Sequence, residues 1–399
     1  MRYVDEFRDG DLARALAAAL AREVDPARRY AFMEFCGGHT HTIARYGLGD
    51  LLPPNLRMIH GPGCPVCVLP VGRIDMAIEL LRQRPDVTLC TYGDCLRVPG
   101  SGGMSLLKAK AAGASVRMVY SPLEALALAR AEPQREVVFF AIGFETTTPP
   151  TALLLREARR AGVGNLSVIC NHVLTPPAMA AIVDAPPDSG MRLDGFVGPA
   201  HVSVVIGSQP YARFARDHRK PVVIAGFEPL DVLQAVRMLV RQVGEGRAEV
   251  ENEFTRAVTP DGNRKAQAVM TEVFELREAF EWRGLGVLPR SALRIRDAYA
   301  QWDAERRFGL DYRPVADHKA CDCAAILRGE KRPEACRLFA RACTPDTPLG
   351  ACMVSSEGAC AAQYRYGRRP VQGAGAAREG RAVGSGVSGP ADDGARAGA

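Results

Sequence analysis

Three groups of cysteines stand out in this sequence, each beside residues able to shape thiol or metal chemistry. Cys36-Gly37-Gly38-His39-Thr40-His41 sets a soft sulfur next to two imidazoles, a donor mixture suited to iron or zinc. Its paired glycines allow a sharp turn that leaves those groups accessible, although a buried cysteine with two surface histidines would give the same string. Gly61-Pro62-Gly63-Cys64-Pro65-Val66-Cys67 is a CxxC dithiol, able to close a reversible disulfide or to supply two metal ligands. A structural zinc ribbon needs a second CxxC pair, which this chain lacks.

The third group holds Cys321, Cys323, Cys336, Cys343, Cys352 and Cys360. Cys323, Cys336, Cys343 and Cys360 make a C-x12-C-x6-C-x16-C set, four thiolates of the kind that hold a [4Fe-4S] cluster. Four zinc-bound thiolates fit the count as well, but the gaps are wider than those of paired zinc knuckles. Spacing alone leaves Cys321 exchangeable with Cys323, and Cys352 with Cys360. Asp94 and Glu145 follow apolar runs, where each can orient a ligand or a proton, or cap a helix. Cys90, Cys95 and Cys170 read as core residues, and His172 and His201 as hydrogen-bonded structural groups.

Positioning these groups requires strands that end where the motifs begin. Apolar runs at 30–35, 56–60, 87–91 and 116–120 alternate with helical patterns at 9–24, 73–82, 105–112 and 123–131, with Asp11 as N-cap of the first helix. Further strands are predicted at 136–142, 167–171, 195–197 and 221–225, with helices at 150–161 and 229–242. The alternation predicts an α/β protein of two Rossmann-like domains with parallel sheets, whose ligands gather at the carboxyl ends of the strands. From about Arg290 the pattern gives way to a smaller Cys-rich region, and the Gly/Ala/Arg tail is predicted to be disordered.

The length of 399 residues suits two or three domains, and no apolar run is long enough to span a bilayer. The N-terminus lacks the apolar segment of a secretory signal, so a cytoplasmic location is expected. In such a reducing compartment, twelve cysteines point to metal ligation or redox work over structural disulfides. The net charge of +6 comes largely from arginines in the tail or beside acids on helix faces, which argues against specific nucleic-acid binding.

Taken together, CGGHTH at 36–41, GPGCPVC at 61–67, TYGDCLRVPG at 91–100, GFETTTP at 143–149 and ACTPDTPLGACMVSSEGAC at 342–360 resemble the HypD family. The resemblance runs from about residue 5 to 367 and implies a scaffold for the Fe(CN)2CO centre of [NiFe] hydrogenases. It implies two α/β domains, approximately 14–130 and 131–285, and an iron-sulfur domain joining 1–13 to 286–368, with 369–399 as the tail. It further implies pairing with a small HypC-type chaperone, acceptance of cyanide from HypE charged by HypF, and indirect service to a hydrogenase large subunit. By the same resemblance Cys36 ligates iron, Cys64 and Cys67 form a redox dithiol that can also meet the metal, and His39, His41 and Asp94 line the site. The [4Fe-4S] cluster then feeds electrons toward the dithiol. Cys95 is a departure, since the family pattern has a small or apolar residue there. The competing expectation is an iron-sulfur dithiol/disulfide oxidoreductase acting on a protein disulfide.

Overall fold

The computed structural model describes residues 5–185 and 192–367, and contacts group the chain up to Gly367 into one unit. The tail expected at 369–399 lies outside the described residues. Nine strands build two parallel sheets: β1 Tyr30–Glu34, β2 Leu56–His60, β3 Val87–Thr91, β4 Val116–Met118, β5 Glu136–Gly143, β6 Leu166–His172, β7 Gly195–Pro199, β8 Val222–Ala225 and β9 Val250–Asn252. The first sheet has the order β2-β1-β7-β8-β9 and the second β4-β3-β5-β6. Every pairing within them is parallel. Helices on the sheet faces explain why β1, β3, β6, β7 and β8 are buried along their whole length and read as near-continuous apolar runs.

The strands divide between the sheets differently from a cut at residue 130. That point falls between β4 and β5, which belong to one sheet, while β7 to β9 return to join β1 and β2. Apolar periodicity marks a strand but carries no record of its partner, so sequential order stood in for spatial order. Near the N-terminus, Phe7 and Arg8 reach Arg256 and the start of the helix Pro229–Gly244. Arg8 pairs with Glu228, and Arg256 lies over the Phe7 ring at 4.2 Å.

Helix starts follow local chemistry. Asp9, rather than the expected Asp11, caps Gly10–Glu23 by accepting from the N–H groups of Asp11 and Leu12. Ser121 and Glu124 form a capping box ahead of Pro122–Ala131, and Pro122 occupies the first turn, where a missing N–H costs nothing. One continuous core joins the sheets, containing Met33, Phe196 and Ile224 of the first and Leu89, Phe140 and Ile169 of the second. Each such side chain stabilises the fold by about 1.5–3 kcal/mol of burial.

Two antiparallel pairs complete the strand set: β10 Phe274–Leu276 with β13 Leu293–Ile295, and β11 Ala279–Trp282 with β12 Gly286–Pro289. Among the described residues no strand follows Ile295, and the segment carrying the C-terminal cysteines has only short helices up to Ala359–Tyr366. Among the described residues no helix is long and apolar enough to cross a membrane.

Candidate functional site

Cys36, Cys64, Asp94 and Glu145 each lie just past the carboxyl end of a strand, β1, β2, β3 and β5 respectively, the edge where α/β sheets bind ligands. The structure brings the first two motifs into contact. Gly37 N–H donates to the Gly63 carbonyl at 3.3 Å, and Gly61 N–H to the Glu34 carbonyl at 2.9 Å. A Cβ on Gly63 would stand 2.3 Å from the Cys36 backbone nitrogen, so only glycine permits this approach.

Beneath the turn lies Glu34, a fully buried carboxylate. It accepts from Cys36 N–H at 2.9 Å and His60 Nδ1 at 2.8 Å, and also from the Thr40 hydroxyl. His60 faces it because the register of the parallel pair sets Glu34 opposite His60. Sequence reasoning passed over this network. Its signal was a lone charged residue ending the otherwise apolar strand Tyr30-Ala31-Phe32-Met33-Glu34, a position where unpaired charge is costly.

Glu357 is a second carboxylate at the site. It arrives from the far end of the chain, with its Cβ lying 2.2 Å from where a Cβ on Gly37 would be. Although Glu357 reaches solvent, crowding by neighbouring atoms, then the charges of Asp94 and Glu34, raise its carboxyl pKa. Cys36 is 8% exposed, and burial followed by the charge of Glu357 pushes its thiol far above the ordinary range. It rests as a neutral thiol.

Cys64 and Cys67 form a disulfide at the start of the short helix Pro65–Val68. Both are buried, at 4% and 1% exposure. The Cys67 sulfur lies 3.0 Å from where a Cβ on Gly358 would stand, so the segment bearing Glu357 touches the dithiol as well as the Cys36 turn. Among the described residues no three His, Cys, Asp or Glu side chains converge as they would on one metal ion. With its partners tied in a disulfide, Cys36 is the only free thiol of this set.

The histidines part company, as residues two apart on a helix must. His39 is buried and directs Nε2 at the carbonyls of Ala225 (3.1 Å) and Gly226 (2.9 Å), which makes Nε2 the protonated nitrogen. Its Nδ1 has no partner among the described residues, and burial lowers its pKa, favouring the neutral ring. Phe227 stacks on it at 4.8 Å and carries His201 at 3.7 Å. His41 instead packs edge-on against Tyr366 at 5.0 Å. Glu145 accepts from both the N–H and hydroxyl of Thr175 at 2.9 Å, so it holds the start of Thr175–Val183 and not the helix that directly follows it. Burial raises its pKa to about 7.

The C-terminal cysteines are neighbours in space. Cys321, Cys323, Cys336, Cys343 and Cys360 line a small common pocket, and a Cβ on Gly350 would meet the sulfurs of Cys321 and Cys323 at 2.4 and 2.5 Å. Cys352 contacts Cys323 and Cys360, and hydrogen bonds from these two thiols lower its pKa. Burial raises Cys90 and Cys95 to about 12 and Cys170 to about 11, as suits inert core thiols.

The sequence profile of the HypD family, described as the hydrogenase formation hypA family, matches residues 11–367. The chain is 67% identical over 371 residues to the hydrogenase maturation factor HypD of Azotobacter vinelandii, covering 92% of this chain and 98% of that protein. It is 66% identical to the factor of the same name from Cupriavidus necator, again over 92% and 98%. The corresponding Escherichia coli protein is 46% identical at the same coverage. With a profile spanning nearly all of the described residues and relatives matched along almost their full length, the chain belongs to the HypD family.

Proposed function

We propose that this protein is a hydrogenase maturation factor that carries iron on Cys36 while cyanide and carbon monoxide are added, in complex with a small HypC-type chaperone and with a HypE-type cyanide donor. The observation that supports this most directly is the single free thiol set between two carboxylates at the sheet edge. Glu34 and Glu357 disfavour a bare thiolate, but a ferrous ion reverses the sign of that effect, since both charges then attract the cation. The site therefore holds a proton at rest and exchanges it for metal. A single protein thiolate leaves the remaining positions open to a partner's ligand and to the incoming diatomics, and an open site can release its cargo.

The Cys64–Cys67 disulfide supplies the redox function. Two electrons, delivered one at a time by a low-potential electron-carrier protein as the external donor, break its S–S bond and release two thiolates, which then take up protons. Cys323, Cys336, Cys343 and Cys360 would hold a [4Fe-4S] cluster, which when bound supplies single-electron transfer beside the dithiol. The residues fit such a group: the thiols share a pocket, and the sulfurs of Cys321 and Cys323 both crowd the space beside Gly350. The alternative of an oxidoreductase acting on a protein disulfide requires an accessible sulfur, and the burial of Cys64 and Cys67 weighs against it.

Infrared spectra of the anaerobically purified complex with the small partner test the reading. Bands of metal-bound cyanide and carbon monoxide are expected in the wild type and lost in Cys36→Ala. Their absence from an intact, cluster-loaded wild-type complex would favour the oxidoreductase.

A further inference from the structure

Arg283 occupies the turn between β11 and β12, with a side chain only 3% exposed. A guanidinium remains charged even when buried. On one side it grips the segment that follows the dithiol: its backbone N–H donates to the Val68 carbonyl at 2.8 Å, and Nε to the Leu69 carbonyl at 3.0 Å. On the other side the turn rests on the helix that begins at Cys323. A Cβ on Gly284, whose φ is +82°, would lie 3.0 Å from the Ala324 Cα. The Gly284 carbonyl accepts from Arg328 Nη1 at 2.7 Å. Arg283 Nη1 pairs with Asp317, while Nη2 is buried with no partner among the described residues.

A buried, incompletely paired cation costs stability. Nothing in the packing of the β11–β12 turn requires one, because Val68 and Leu69 need only neutral donors. What the position does provide is a fixed positive charge between the dithiol helix and the cysteine pocket. We propose that Arg283 is a positioning residue that couples these two redox groups, its charge offsetting the negative charge each gains on reduction. The proposal rests on the reading of the cysteine pocket given above. Each electron added to a thiolate-bound cluster, and each thiolate released from the disulfide, is stabilised by a nearby cation in a low-dielectric setting. Asp317 moderates that charge from the other end of the guanidinium.

The test uses the full chain with its cluster reconstituted. Arg283→Gln removes the charge while keeping a side-chain donor. It is expected to lower the cluster's midpoint potential by the equivalent of about tenfold in the oxidised-to-reduced ratio, ~59 mV for a one-electron couple, in a titration followed by electron paramagnetic resonance. Asp317→Asn frees the guanidinium of its counter-charge and is expected to shift the potential the opposite way. Thiol-labelling titration of Cys64–Cys67 reads the second couple, which should move in the same direction as the first in each variant. Arg283→Lys keeps the charge and should stay near the wild-type potential, so the comparison survives if Arg283→Gln holds no cluster. An unchanged potential in Arg283→Gln, or shifts of one sign in both charge variants, would overturn the assignment. A wild-type chain that takes up no cluster would overturn the reading of the pocket instead, and the dithiol couple alone would then decide the role of Arg283.

Discussion

Cys36 and Cys64 stand on loops that leave β1 and β2, strands paired to one another and covered by helices. Their placement is fixed by backbone hydrogen bonds, by glycines that admit no side chain and by the buried Glu34 network. The cysteines from 321 to 360 have no sheet beneath them. Their segment is a series of turns and short helices in which Cys323, Cys336, Cys343, Cys352 and Cys360 are buried beside Ile326, Leu327, Ala351, Met353 and Val354. On the proposed reading, a thiol that accepts and releases a passenger is built on a rigid edge, whereas thiols that keep a resident group can draw their order from it.

That contrast can be broken most forcefully at the second region. Cys323→Ser combined with Cys343→Ser is expected to abolish cluster uptake and to bring fast amide exchange to residues 319–367 while β1 to β9 stay protected, as hydrogen exchange would show. Protection lost equally in the sheets would mean the two regions do not differ in this way. At the first region, Gly63→Ala forces a Cβ to 2.3 Å from the Cys36 backbone, and a loss of about 1–3 kcal/mol or more is expected in denaturant unfolding. Gly164→Ala, with nothing within 4 Å, should be nearly silent. Glu34→Gln turns an acceptor toward three donors into a group that must oppose at least one of them, for about 1–3 kcal/mol.

The smallest effect concerns pH. Glu145 is raised from 4.5 to about 7 by burial, so the stability it contributes is full below pH 4.5 and is lost as pH rises through about 7. Glu145→Gln should flatten that dependence in unfolding measured on either side of neutrality.

Much of the first region was legible before the structure. The runs at 56–60 and 87–91 are β2 and β3 to the residue; β3 is buried along its whole length, whereas β2, at the sheet edge, keeps Arg57 exposed. The turn motifs also fell at strand ends as expected. What sequence could not supply was contact at long range: the return of β7 to β1, the arrival of Glu357 beside Gly37, and the bridge made by Arg283. Local periodicity contains none of these. His41 illustrates a shorter-range limit, since the CGGHTH string lists two imidazoles but only helical geometry shows that they face different neighbours.

The position of Glu357 has a consequence for the newborn protein. Cys36 leaves the ribosome roughly 320 residues before the carboxylate that will flank it, an interval of roughly 15–60 s at 5–20 residues per second. Over that time the thiol has neither its acidic neighbour nor the β7 strand that completes the sheet around β1. The surroundings of Cys36 are therefore a property of the finished polypeptide, and a chain that stalls or is cut short in translation lacks the assembled site that the proposed function requires.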